Sequence, residues 1–359
     1  MIIPQPLLLA FSFLLGASIG SFLNVCIYRI PIEGLSIARP RGSFCPGCKT
    51  PIGFRDNIPL LSWLLLGGRC RGCSTSISVR YPFVELLTAL LFMVVVLRLG
   101  PGEGEMIDLT IGATLLAGWA IIATLVVISW IDIDHQIIPD SLSIGGTSVA
   151  LWLGLVLTRF PISSEIPFTE PSLGVSAVDV PWVGSFLIAV ILGAIALFAF
   201  WRWVPDWQGK RRTLRSCSLA FHIGATVGLL AGVALLETGA LGNPALLRLQ
   251  GALAGMVVGS GVIWIIGRLG SIAFGKEAMG FGDVKLMAFL GALLGPSLIL
   301  AALLLACLVG SVIGLGIRWS TGSSYIPFGP FLCLGAATLI LALPEMEGLW
   351  RMYLGLLGS

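Results

Sequence analysis

The chain has 359 residues, 57% of them hydrophobic and 11% charged, with a net charge of +3. Soluble domains carry about 25% charged residues, so a water-soluble globular fold is excluded. Several apolar runs reach the ~20 residues that span a bilayer, and the sequence predicts an all-α polytopic membrane protein.

The first span covers residues 6–28. No basic n-region and no small-residue cleavage site precede its polar flank, so it reads as a retained helix and not a removed signal. Asn24, near its end, is either an interhelical hydrogen bond at a membrane face or a substrate contact. Residues 29–81 form the one large polar segment. It carries eight bases (Arg29, Arg39, Arg41, Lys49, Arg55, Arg69, Arg71, Arg80) against two acids (Glu33, Asp56). The positive-inside rule puts this loop in the cytoplasm and the N-terminus outside. Lipid headgroups, and not nucleic acid, are the expected neighbours of that charge.

Cys45-Pro46-Gly47-Cys48 and Cys70-Arg71-Gly72-Cys73 sit in this loop, 21 residues apart. Each pair offers two thiolates with a glycine for the tight turn, and together they supply a closed tetrahedral site of the kind zinc takes. A cytoplasmic setting argues against two disulfides. Such a site has no open position, so its expected role is structural. Cys26, Cys217, Cys307 and Cys333 lie in or near apolar helices and read as small packing residues.

Spans follow at residues 82–99 and 107–131, joined by an acidic link with Glu103 and Glu105. The third span returns to the cytoplasm at Asp132-Ile133-Asp134-His135, where His135 reads as a solvent or headgroup contact. Pro139 and Asp140 then open a fourth span at 141–157, with Asp140 placed to cap it. Residues 159–181 form an acidic outer link, and further spans are expected at 182–204 and 217–236. Between those two, Lys210, Arg211, Arg212 and Arg215 mark a cytoplasmic turn. His222 lies in the second of them with no visible partner. The span at 246–274 carries Gly251, Gly255 and Gly259, a spacing that permits close helix contact.

Next comes Gly280-Phe281-Gly282-Asp283-Val284-Lys285. An aspartate at a membrane boundary is costly, and the two glycines leave room for backbone or substrate beside it. Lys285 is placed to meet headgroups or Asp283, with headgroups favoured. A short apolar piece at 284–294 ends at Gly295-Pro296, and spans at 296–317 and 326–343 complete the chain. That makes about ten hydrophobic helices if the short piece crosses. Charge counting puts Asp132 and Asp283 at the same cytoplasmic face. On chemistry alone such a pair is a proton-sharing dyad that activates water, a cation or proton site in a transporter, or two unrelated helix-end residues.

Five blocks together resemble the type IV prepilin peptidases, the bacterial branch of the Gly-x-Gly-Asp membrane aspartic peptidases. They are residues 20–31, 45–85, 132–140, 277–286 and 326–331. The resemblance implies cleavage of the leader of prepilin or pseudopilin proteins after a glycine, in type IV pilus or type II secretion systems. The setting it implies is the bacterial inner membrane, with the active site facing the cytoplasm. It puts the catalytic aspartates at Asp132 and Asp283, choosing Asp132 over Asp134 because an aspartate seven residues before Pro139 fits the family pattern. Gly280, Gly282 and Lys285 support the second motif. Many members also methylate the new N-terminus with S-adenosylmethionine, an activity associated with the four-cysteine loop.

The expected domains are residues 1–28, a first helix; 29–81, the zinc-binding loop; 82–158, helices carrying Asp132; 159–243; and 244–359, helices carrying Gly-x-Gly-Asp. Relatives have eight spans, so residues 159–243 read as an insertion of an outer loop and two helices that leaves orientation unchanged. The competing reading is a zinc-stabilised membrane transporter or scaffold without peptidase activity.

Overall fold

The computed structural model describes residues 4–32, 35, 37, 44–45, 47–102, 105–156, 244–321 and 326–342. Among them the protein is all-helical, with two single-pair β-bridges and no longer strand. In order come α1 (Gln5–Arg29), a 3-10 turn (Phe54–Asn57), α2 (Leu61–Leu65), α3 (Arg80–Leu99) and α4 (Leu109–His135). Then follow α5 (Asp140–Val156), α6 (Pro244–Phe274), α7 (Phe281–Thr321) and α8 (Gly329–Ala342).

Five of these, α1, α3, α4, α6 and α7, are long and apolar enough to cross a membrane. The expected count of ten is not reproduced among the described residues. The spans expected at 182–204 and 217–236, with His222 and Cys217, lie outside them. α5 has 17 residues and α8 is also short. The pieces expected at 284–294 and 296–317 form one element, α7. Their predicted break survives as a kink, since Gly295 leaves helical geometry (φ 76°, ψ 176°) and Pro296 has no N–H to give the preceding turn.

The chain divides into two compact units. The first comprises residues 1–139 and 314–359. Its innermost span is α4, with 67% of its most apolar stretch buried, against 33% for α1. Asp108 caps the start of α4 by accepting the Ile111 N–H at 2.7 Å, and Gln136 in left-handed geometry (φ 55°, ψ 36°) ends it. Gly16 and Gly20, one turn apart, bring α1 onto α3. A Cβ at either would stand 2.7 Å from a Cα of Ala89 or Glu85. Trp119 joins α4 to α3, donating to the Phe92 carbonyl at 3.1 Å and stacking on its ring at 5.6 Å.

The second unit, residues 140–313, packs α5 and α7 against α6. The glycine spacing read from the sequence is used here at two positions. A Cβ at Gly255 would lie 2.1 Å from the Gly291 carbonyl oxygen, and one at Gly259 would lie 2.5 Å from that of Met287. Large apolar side chains such as Leu14, Phe274 and Val312 remain well exposed, as a lipid-facing surface requires.

Candidate functional site

The four-cysteine loop is built from two copies of one local structure. In each Cys-x-x-Cys turn, the residue after the second cysteine takes a positive φ (60° at Lys49, 55° at Ser74). Its N–H returns to the carbonyl of the first cysteine, at 2.8 and 2.9 Å. Two single-pair bridges, Phe44 with Pro51 and Arg69 with Ser76, close the turns at the same relative positions. The four sulfurs lie within 4.8 Å of one another, with Cys45 Sγ 3.7 Å from Cys73 Sγ and Cys48 Sγ 4.0 Å from Cys70 Sγ. A tetrahedral metal with sulfur ligands at ~2.3 Å separates its sulfurs by about 3.8 Å, so the donor set fits one ion.

Each turn also carries a threonine two residues past its second cysteine. The Thr50 hydroxyl, then its N–H, holds the Cys48 thiol down at about 6, and Thr75 lowers Cys73 in the same way. Outside the sulfurs, Arg71 grips Asp56 of the 3-10 turn through two bonds of 2.9 and 2.7 Å. That guanidinium holds the Asp56 carboxyl below the usual carboxylate range.

Asp132 occupies the last turn of α4 and is 6% exposed. Its Oδ2 accepts the Gly329 N–H at 3.0 Å, at the start of α8. A Cβ on Gly329 would stand 2.6 Å from that oxygen, so only glycine leaves the carboxyl where it is. Asp134 points elsewhere. Its Oδ2 meets Arg80 Nη1 at 2.5 Å, and the same guanidinium covers the Trp130 ring at 4.8 Å. Two residues on a helix lie ~200° apart, which separates their directions. His135 is exposed at the helix end, as its reading as a solvent contact expects.

Asp283 stands in the first turn of α7, half-buried, with its N–H bonded to the Gly280 carbonyl at 3.2 Å. A Cβ at Gly280 would lie 3.8 Å from Asp283 Oδ2. Asp283 belongs to the second unit and Asp132 to the first. Lys285 has a partner that the sequence did not show. Its Nζ pairs with the Asp140 carboxylate, in the first turn of α5, and lies over the Phe281 ring at 5.3 Å. Asp140, expected to cap this helix, carries the ion pair from its first turn. Pro139 directly precedes α5 and follows the buried Ile138.

Asn24 donates to the Tyr81 carbonyl at 3.1 Å, the interhelical bond expected as one of its two readings. Close by, a feature the sequence reading missed joins α3 to the loop. Glu85, 8% exposed, accepts the Leu60 N–H at 2.7 Å. Leu60 has φ 64° and ψ −52°, and the Leu61 N–H reaches the Pro59 carbonyl at 2.7 Å. This is the rare positive-φ γ-turn, which costs a leucine ~1–3 kcal/mol of strain and persists only where its surroundings hold it. A cavity of about 550 Å³ opens beside it, walled by α1, the loop and the first turns of α3. The partnership of Leu60 with a glutamate 25 positions on was not legible, because no local pattern encodes it.

Comparison with known proteins gives two family matches. Residues 14–99 match the bacterial peptidase A24 N-terminal domain, and residues 206–315 match the type IV leader peptidase family. The second match contains Asp283 and begins inside the stretch 159–243 read as an insertion, so it takes in the expected span at 217–236. A prepilin leader peptidase/N-methyltransferase of Aeromonas salmonicida is 32% identical over 349 residues, 90% of this chain and 86% of the relative. One of the same description from Myxococcus xanthus is 32% identical, over 95% of this chain and 92% of the relative. A type 4 prepilin-like proteins leader peptide-processing enzyme of Escherichia coli is 32% identical, over 90% of each. No solved structure matches.

Proposed function

The chain belongs to the type IV leader peptidase family, and from that premise we infer that it cuts the leader from prepilin-type proteins and N-methylates the new N-terminus. The observation that carries this is similarity, over 90% and 95% of the chain, to enzymes bearing both activities in their names. Five candidate spans agree with a multi-pass inner-membrane protein. A transporter or inert scaffold accounts for neither.

Asp132 and Asp283 are the proposed catalytic pair. One, ionised, takes a proton from water while the other, protonated, polarises the scissile carbonyl, and the two titrate as a unit. Support for Asp132 over Asp134 comes from burial and from the Gly329 N–H that orients one of its oxygens. Asp134 is already committed to Arg80. Asp283 is supported by its Gly-x-Gly-Asp setting, with Gly280 and Gly282 giving an extended substrate backbone room to approach. The charge count that places both aspartates at the cytoplasmic face supports a cut where a prepilin's basic leader meets its apolar helix.

Cys45, Cys48, Cys70 and Cys73 hold zinc in this reading. When bound, the ion supplies only cross-linking of a loop that has little core of its own. The methyl donor is S-adenosylmethionine, and lipid headgroups meet the basic loop. The test is incubation of the purified chain with a candidate prepilin and the donor, followed by mass spectrometry of the product. A cut after glycine carrying one added methyl is expected; an intact substrate would overturn the assignment.

A further inference from the structure

We propose that α2 and the 3-10 turn before it form a membrane-contact surface, with Phe54, Leu61, Leu64 and Leu65 set among acyl chains beside anionic headgroups. This rests on the reading that headgroups meet the basic loop, and adds the side chains that enter the bilayer.

These side chains share one face. Positions 61, 64 and 65 are neighbours on a helix surface, and Phe54 stands in the 3-10 turn that packs on α2. All four are exposed, Phe54 at 87%, Leu64 at 66% and Leu65 at 80%. The other face is committed inward. Ser62 donates to the Arg55 carbonyl at 3.2 Å, and Trp63 to the Ile77 carbonyl at 3.0 Å. Ser62, Trp63 and Leu66 line the cavity beside α1 and α3, so the exposed leucines turn away from it. An apolar cluster on the outside of a polar loop marks a contact surface.

The level of α2 decides what covers it. Leu60, the residue before it, gives its N–H to Glu85 at 2.7 Å. Glu85 lies about 7.5 Å along α3 from Arg80, at the helical rise of ~1.5 Å per residue. Arg80 and Tyr81 form the headgroup-level end of that span, and the Asn24 bond to the Tyr81 carbonyl sets the end of α1 beside it. The strained turn at Leu60 thus holds α2 within the ~5–10 Å depth at which interfacial helices bury their apolar face. Phe22 of α1 and Phe83 and Leu86 of α3 are exposed near the same level, continuing the lipid-facing surface of the spans. Charge fits an anionic leaflet, since Arg55 follows Phe54, Arg69 lies just beyond α2, and both are exposed. The last turn of α4, with Asp132, reaches this level through the Arg80–Asp134 pair. The contact therefore keeps the cysteine loop beside a substrate whose apolar helix stays in the bilayer.

The test reconstitutes the detergent-purified, zinc-loaded full chain in vesicles of phosphatidylethanolamine and phosphatidylglycerol, the latter carrying a diazirine in its acyl chain. After irradiation, mass spectrometry maps the lipid label. Label on residues 54–65 is expected, retained in about 1 M salt, where charge is screened within ~3 Å. Combining Leu61→Gln, Leu64→Gln and Leu65→Gln should remove that label and keep the label on the spans, with zinc as in the wild type. No label on residues 54–65, or label that salt removes or the variant keeps, overturns the proposal. A second probe with the diazirine in the headgroup then separates the two readings. Loop label from it leaves the headgroup reading standing, and none overturns both. Should the triple variant lose its zinc, a benzophenone side chain placed at Leu64 alone decides. An adduct with lipid is expected; an adduct only with a second copy of the chain, or none, rejects the proposal.

Discussion

Gly329 is the residue on which the geometry of Asp132 turns. Its N–H binds the carboxyl, and the space a side chain would take is already filled by that oxygen. Gly329→Ala should leave the protein inserted at normal abundance but displace the carboxyl by enough to cut kcat about 100-fold, the scale of a ~1 Å misplacement. Unaltered kcat in a single-turnover cleavage assay would show that Asp132 is not held for chemistry. Asp134 has the opposite expectation. Its exposed-side pairing with Arg80 is worth ~1 kcal/mol or less, so Asp134→Asn should change stability slightly and leave cleavage in place.

Among the elements, the cysteine loop makes the sharpest claim. One zinc per chain is expected by elemental analysis, and any single Cys→Ser change at Cys45, Cys48, Cys70 or Cys73 should loosen the loop while the spans stay folded. The lowered Cys48 and Cys73 thiols give the loop a pH dependence, which Cys45, held above its ordinary value, opposes in part. Cys48 titrates at about 6 in the folded loop against 9.0 ordinarily, so its contribution is complete above 9.0 and is lost as pH falls through 6. Protons compete with metal for the same thiolates, which pushes in the same direction. Zinc should be retained through dialysis at pH 7.5 and released at pH 5; retention at both would contradict the four-thiolate assignment.

The α5–α7 ion pair is a second test at this scale. Lys285→Met and Asp140→Asn should couple by about 0.5–3 kcal/mol in a double-mutant cycle of unfolding, whereas additive effects would mean the pair does not form. The sequence showed the two cysteine turns and the Gly295-Pro296 break because each is encoded by neighbours along the chain. The Lys285–Asp140 pair was hidden because the two stand 145 positions apart and charge counting sees depth, not partners. Gly329, Glu85 and the turn at Leu60 were hidden for the same reason.

For the whole molecule, the composition was enough to establish a helical membrane protein, and hydropathy placed most boundaries within a few residues. Among the described residues the number of crossings was less legible, because one kinked helix stands where two pieces were expected and α5 and α8 are short. Removing residues 159–243 takes out two expected spans, and an even number should keep residues 275–280 in the cytoplasm. Cysteine-accessibility labelling of that loop in intact cells would report an inverted topology if the stretch crosses an odd number of times. The most direct measurement of the central claim is prepilin cleavage by the purified wild type beside Asp132→Asn, Asp283→Asn and Asp134→Asn. We predict a cut after glycine that disappears in the first two variants and persists in the third. Turnover surviving in both Asp132→Asn and Asp283→Asn would contradict the account.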